Sequence, residues 1–270
     1  TTNIHLKDMV ADEIDRQGDE LIGVAKAVLR HPETGFRERK TSQLVAERFR
    51  GLGIPYEDGI AMTGLRATLD GGSSGPTIAV MGELDSLKVV GHLFEDPETH
   101  AAHACGHHVQ IGIMLGVAVG LKASGVLNAL SGRVALMAVP AEEYIEMEYR
   151  DELRRAGEIE FLGGKPEFIR LGALDDVDMA MMIHTSSSND DAKFALGGTS
   201  NGHLVKYVNF IGRAAHAGGA PEHGINALQA ATVALTALNA QRETLRNEDS
   251  VRLHGIMTLG GSATNSVPSD

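Results

Sequence analysis

The sequence predicts an α/β fold with a mostly parallel central sheet flanked by helices, followed by a smaller α+β domain. Three observations predict it. Apolar runs of strand length occur at 78–81 (IAVM), 133–139 (RVALMAV) and 179–183 (MAMMI). Near-continuous apolar strands are those covered on both faces, as in parallel sheets with helices packed on each side. Between the first two runs lies a helix-length segment, His107 to Lys122, apolar on nearly every face and therefore expected to be buried. After Asn201 the pattern changes to the alternation HLVKYVNFIG and then to an amphipathic helix.

The elements follow in order. Val10, Ile14, Leu21, Ala25, Val28 and Leu29 recur at helical spacing ahead of Pro32, which predicts a helix to about Arg30. Leu44, Val45, Arg48, Phe49 and Leu52 predict a second helix, closed by Gly53 and Pro55. Strands are expected at Leu65–Leu69 and Thr77–Met81, joined by the turn-rich residues 71–76. The charged segment Tyr144 to Asp176 reads as a partly helical, exposed insertion. Beyond it, a strand at 203–212, a helix over Gly224 to Arg242 and a strand at Val251–Leu259 form a β-α-β set. The expected domains are 1–200 and 201–270. A lone βαβ piece leaves an apolar face uncovered, so the second domain is expected to be truncated.

Composition narrows the function. The chain has 270 residues, with 24 basic against 36 acidic side chains and a net charge of −12. It has no Lys/Arg-rich run, which disfavours a nucleic-acid or anionic-membrane surface. One cysteine excludes an intramolecular disulfide and fits a reducing, cytoplasmic setting. The longest apolar stretch, Ile111 to Leu121, is too short to span a bilayer. Twelve histidines and no tryptophan direct attention to metal or proton chemistry.

Residues able to do chemistry follow each apolar run. Glu83 and Asp85 follow the first, Glu142 and Glu143 the second, and His184 the third. In open α/β sheets ligands bind beyond the carboxyl ends of the strands, so these groups are expected to share one site. His103-Ala104-Cys105-Gly106-His107-His108 opens the buried helix. Cys105 and His107 can bind one borderline metal ion, or the thiolate can sit between two. The helix N-terminus is expected to lower the thiol pKa and disfavour imidazolium. The competing reading is a structural cysteine beside surface histidines. Adjacent glutamates at a strand end point apart, so one can bind metal while the other serves as a base for hydrolysis. Asp85 is placed to accept from a metal-binding imidazole, or is a turn residue. No G-x-S-x-G elbow and no phosphate-binding glycine fingerprint occurs.

Taken together, ELDSL, HACGHH, VPAEE, His184 and GRAAHAGGAPEHGINALQAA closely resemble the dimetal aminoacylase/carboxypeptidase family. The nearest branch is the amidohydrolases that include auxin-conjugate, hippurate and p-aminobenzoyl-glutamate hydrolases. The resemblance runs from about Val24 onward. It implies a ferredoxin-like lid and dimerisation domain inserted into the catalytic domain, and a catalytic domain that here lacks its closing segment with a final histidine ligand. It implies two divalent metal ions, zinc or manganese first and cobalt or nickel next. Cys105 would bridge them, His107 and His184 would bind one, and Glu143 the other. Glu142 would be the general base, with Asp85 among the catalytic groups. His216 would reach the site of a partner and stabilise the oxyanion, and Asn265 would hold the substrate. The reaction implied is cleavage of the amide of an N-acyl or N-aroyl amino acid, or of a dipeptide, by a homodimer. A hetero-oligomer is the variant of that assembly. The alternative is a catalytically incomplete paralogue or partner subunit. His108 and Lys88 depart from the branch, which has Asp or Asn and Pro in those places.

Overall fold

The computed structural model describes residues 2–186, 193–197 and 201–270. The chain divides into two compact units, Thr1–Asn189 and Asp190–Asp270. Residues 198–200, just before the expected boundary, lie outside the described residues.

The first unit is built on five strands: β1 (Tyr56–Ile60), β2 (Gly64–Asp70), β3 (Ser73–Glu83), β6 (Ser131–Val139) and β7 (Met179–Met182). Their order across the sheet is β1-β2-β6-β3-β7. β3 runs parallel to both β6 and β7, whereas β2 is antiparallel to β6 and to β1. The sheet is therefore mixed, which corrects the expected mostly parallel one. The reason is local: the short connection from β1 to β2 allows only antiparallel pairing, since a parallel return needs a long crossover. A separate two-stranded ribbon pairs β4 (Leu87–Lys88) with β5 (Ala101–Ala102).

Helices pack against this sheet. The first expected helix is two, α1 (Thr2–Arg16) and α2 (Gly18–Arg30), broken at Gln17. α3 spans Arg39–Gly51 and α4 spans His107–Ala123. α4 is the buried helix, as its all-round apolar sequence requires: Ile111, Met114, Leu115 and Ala118 are enclosed. Gly120 lets α1 approach, since a Cβ there would meet Val10 and Ile14 at 2.9 Å. Val24, Val28, Val45, Phe49, Leu65 and Leu136 complete this core.

The charged segment after β6 is not an exposed insertion. It forms α5 (Met147–Arg155) and α6 (Gly164–Arg170) and supplies Ile159, Phe168 and Ala173 to a second core on the opposite set of sheet side chains. Met147, Arg150 and Asp151 of α5 and Gly164, Glu167 and Phe168 of α6 turn inward at helical spacing, while most of the other charged residues lie outside. Arg150 and Glu167 are fully buried there.

In the second unit, α7 (Ala227–Gln241) forms as expected, with Asn226 capping it through a 2.8 Å bond from the Gln229 N–H. The two expected strands do not form: residues 203–212 and 251–259 make no ladder among the described residues. Alternation gives a strand two faces, but its backbone groups need a paired neighbour, and only isolated bridges occur, Arg213 with Ile225 and His216 with Ser266. No helix among the described residues is long and apolar enough to cross a membrane.

Candidate metal centre

The strand ends of β3, β6 and β7 and the N-terminus of α4 carry the candidate residues of the first unit. Gly106, at φ 90°, takes the left-handed turn that starts α4, and so sets Cys105 and His107 on either side of a tight bend. Cys105 Sγ lies 3.4 Å from His184 Nε2. Ligand atoms of Cys105, His107 and His184 all lie within 4.8 Å of one another.

Both histidines are oriented by backbone carbonyls. His107 Nδ1 lies 2.9 Å from the Asp85 carbonyl oxygen, and His184 Nδ1 lies 2.7 Å from that of Thr185. A carbonyl can only accept, so each Nδ1 carries a proton and each Nε2 is left to face a ligand. The sequence pairs Asp85 with an imidazole, and the contact here runs chiefly through its main chain. Its carboxylate stands 3.3 Å from His107 Nδ1 and accepts from the Glu143 N–H at 2.8 Å.

Acidic groups face His107 Nε2. Glu83 Oε2 is 2.9 Å away, and carboxylate oxygens of Glu142 and Glu143 are each 3.9 Å away. Glu143 Oε1 is buried without a hydrogen-bond partner, while the Glu142 side chain is 35% exposed. The adjacent glutamates thus differ in access, one turned inward and one toward solvent.

Glu83 has more partners than its sequence position indicates. It is enclosed and receives bonds from Gln110 Nε2 at 3.0 Å and from the Lys165 ammonium. Burial opposes its charge, but the His107 and Lys165 partners outweigh burial and hold its carboxyl at about 2. Nothing in the sequence points to Gln110 or Lys165. Gln110 sits in an apolar helix and Lys165 in the charged segment, and only the fold brings them to Glu83.

The protein's own field does not act as the helix N-terminus alone would. Burial, then the carboxylates of Glu143, Glu142 and Glu83, pushes the Cys105 thiol up to about 12. Against the cost of burial, Asp85 and Glu83 raise His107 to about 10. A half-charge at a helix end is outweighed by full carboxylates at contact distance. A divalent cation held by such a donor set would favour the thiolate and the neutral imidazole. Clustered thiol, imidazole and carboxylate donors, with a buried unpartnered carboxylate oxygen among them, fit that cation.

The two departing residues are also placed. His108 packs on the enclosed His103 with ring centroids 5.6 Å apart, and burial drives the His103 pKa down to about 3. Lys88 pairs with Glu146 at 2.9 Å.

His216 and Asn265 belong to the second unit. They are neighbours: the Ala217 N–H donates to the Asn265 carbonyl at 2.9 Å, and His216 bridges Ser266. His216 Nδ1 accepts from the N–H groups of Gly218 and Gly219 at 3.2 and 2.9 Å. Its proton is therefore on Nε2, which leaves an outward donor.

Comparison with known proteins agrees with the motifs. Residues 195–270 match the peptidase dimerisation domain of the M20 type. The chain is 31% identical to an indole-3-acetyl-aspartic acid hydrolase of Enterobacter agglomerans over 281 residues, covering 96% of this chain and 58% of that protein. It is 30% identical to one subunit of the p-aminobenzoyl-glutamate hydrolase of Escherichia coli over 277 residues, again 96% and 58%. It is also 30% identical to a thermostable carboxypeptidase of Saccharolobus solfataricus over 194 residues, 70% of this chain and 45% of that one. Residues 195–270 thus carry the dimerisation domain of M20 peptidases, and the chain as a whole is similar to hydrolases of acylated amino acids and to carboxypeptidases. The chain spans about half the length of the curated relatives it matches. Its fold is that of an aminobenzoyl-glutamate utilization protein from Klebsiella pneumoniae, with TM-score 0.61 and 23% identity over 96% of this chain and 66% of that one.

Proposed function

We propose that this chain acts in a metal-dependent amidohydrolase that cleaves the amide of an N-acyl or N-aroyl amino acid, or of a dipeptide. The observation that carries the reading is the gathering of Cys105, His107 and His184 at the strand ends, with Glu142 and Glu143 facing the same imidazole. The acylated amino acids named for the relatives supply the substrate class. In this reading Cys105, His107, His184 and Glu143 would hold two divalent ions. When bound, such ions lower the pKa of water and polarise a carbonyl.

The chain's residues do the rest. Asp85 fixes the His107 ring and the Glu143 main chain from one carboxylate and its carbonyl. Glu142, half-exposed and raised in pKa by burial and then by Glu83, takes the proton from the attacking water and delivers it to the leaving amine. His216 offers its Nε2–H to the developing oxyanion of a partner's substrate, and Asn265 beside it binds the substrate carboxylate or backbone. Both act across a homodimer formed through the second unit, as the dimerisation-domain match supports.

The test is Glu142→Gln. Turnover of N-acyl amino acids should fall by roughly 100-fold or more, the range of a positioned acid–base group. The metal content, read by elemental analysis, should remain that of the wild type. Full activity in this variant removes Glu142 as the base.

A further inference from the structure

Glu142 sits between two residues whose main-chain groups are all taken. The Ala141 N–H donates to Glu38 Oε1 at 2.8 Å, and the Ala141 carbonyl accepts from the Gly164 N–H at 3.2 Å and from Arg150 Nη1 at 3.5 Å. The Glu143 N–H donates to Asp85 Oδ2 at 2.8 Å, and the Glu143 carbonyl accepts from Arg150 Nη2 and from the Ile145 N–H. Arg150 Nη1 also donates to the Leu162 carbonyl at 2.5 Å.

The holders are unusual for such a task. Arg150 and Glu38 are fully buried. Among the described residues no carboxylate lies within ion-pair distance of Arg150, so its fork is directed at carbonyl groups. A buried guanidinium is costly unless its donors are bonded; here three carbonyls receive Nη1 and Nη2, while Nε is buried without a hydrogen-bond partner. Gly35 makes room for this arrangement, since a Cβ there would stand 2.8 Å from the Ala141 Cα.

The turn itself is not relaxed. Ala141 at φ 51° and Glu146 at φ 52° occupy the left-handed region without being glycine. Such conformations persist where surrounding contacts over-determine them.

We propose that Arg150 and Glu38 are positioning residues, a buried clamp that holds the 140–146 turn so that Glu142 is presented to substrate while Glu143 points inward. The proposal rests on the hydrolase reading for its purpose. Its geometry rests on the turn alone. Arg150 ties the turn to the α5–α6 segment, and Glu38 ties it to the start of α3. Neither touches a ligand side chain; each acts through the main chain on either side of Glu142.

The test is hydrogen exchange by mass spectrometry on the full chain, followed by zinc titration of the metal-stripped protein. In Arg150→Lys the ammonium cannot serve three carbonyls in a plane. Exchange across 140–146 should accelerate by roughly tenfold or more, the worth of a lost charged hydrogen bond. The amides of β6 and α4 should keep their protection, and zinc affinity should fall by a comparable factor. Glu38→Gln keeps the acceptor oxygen and should behave as wild type, whereas Glu38→Ala should reproduce the Arg150→Lys effect. Should Arg150→Lys fail to fold, the two Glu38 variants decide the matter. Unchanged exchange over 140–146 in every folded variant that removes a holder overturns the clamp. A wild-type chain that binds no zinc removes the hydrolase reading, and the exchange comparison still decides on the clamp.

Discussion

The two units of this chain use apolar residues in opposite ways. In the first, sheet and helices enclose side chains such as Leu65, Leu136, Phe49 and Phe168 completely. In the second, Leu204, Ile211 and Ile256 are 80%, 85% and 74% exposed, and Ala227 alone is buried along α7. Local sequence signals of similar quality thus have different outcomes. A continuous apolar run carries its own evidence of burial, because nothing in it suits water. An alternating run requires a neighbouring strand to satisfy its backbone, and that neighbour is not written in the run itself.

The comparison can be broken by substitution. Phe168→Ala removes a wholly enclosed ring from the second core of the first unit and should cost about 3–5 kcal/mol, read by denaturant unfolding. Glu38 sharpens the contrast, because its carboxyl is sealed in the first unit's interior. Burial, then the charge of Asp85, raises it to about 8 from an ordinary 4.5. Between these values the folded chain keeps a proton that the unfolded chain has lost. The stability of the first unit should therefore fall as pH rises from about 4.5 through 8, and level off above. Glu38→Gln should flatten that slope in a melting series across pH, and an unchanged slope would assign it to another group. In the second unit the effects are smaller. The Asn226 cap on the α7 N-terminus is a local bond. Asn226→Ala should cost about 1 kcal/mol and should lower the helical signal of the second unit alone. Smallest of all is Leu238→Ala, on the half-exposed face of α7, which should stay within about 0.5 kcal/mol. A cost near that of Phe168→Ala would mean that the second unit has a core of comparable weight.

Much of the first unit is legible in the sequence. The strands at β2, β3 and β6 and the buried α4 follow from run length. Residue type and position at the strand ends single out Cys105, His107, His184, Glu142 and Glu143, and the fold gathers them. The sheet's antiparallel half is not legible, because β1 (YEDGI) has neither alternation nor an apolar run. Arg150, Gln110 and Lys165 are hidden for a related reason: a polar residue inside a helix pattern reads as surface until a second element covers it. The helix end alone gives the wrong sign for the Cys105 shift, because the opposing carboxylates come from distant segments. For Asp85 the residue is legible and the contacting atom is not, since no sequence pattern separates a carbonyl from a carboxylate.

Cys105 is the single thiol of this chain. Every thiolate-to-metal transition in its spectrum must therefore originate at the candidate centre. Cobalt substitution turns that into an optical gauge: thiolate-to-cobalt charge transfer in the near ultraviolet counts occupied sites directly. The same uniqueness means that one alkylation event silences the gauge, with no second cysteine to confuse the result.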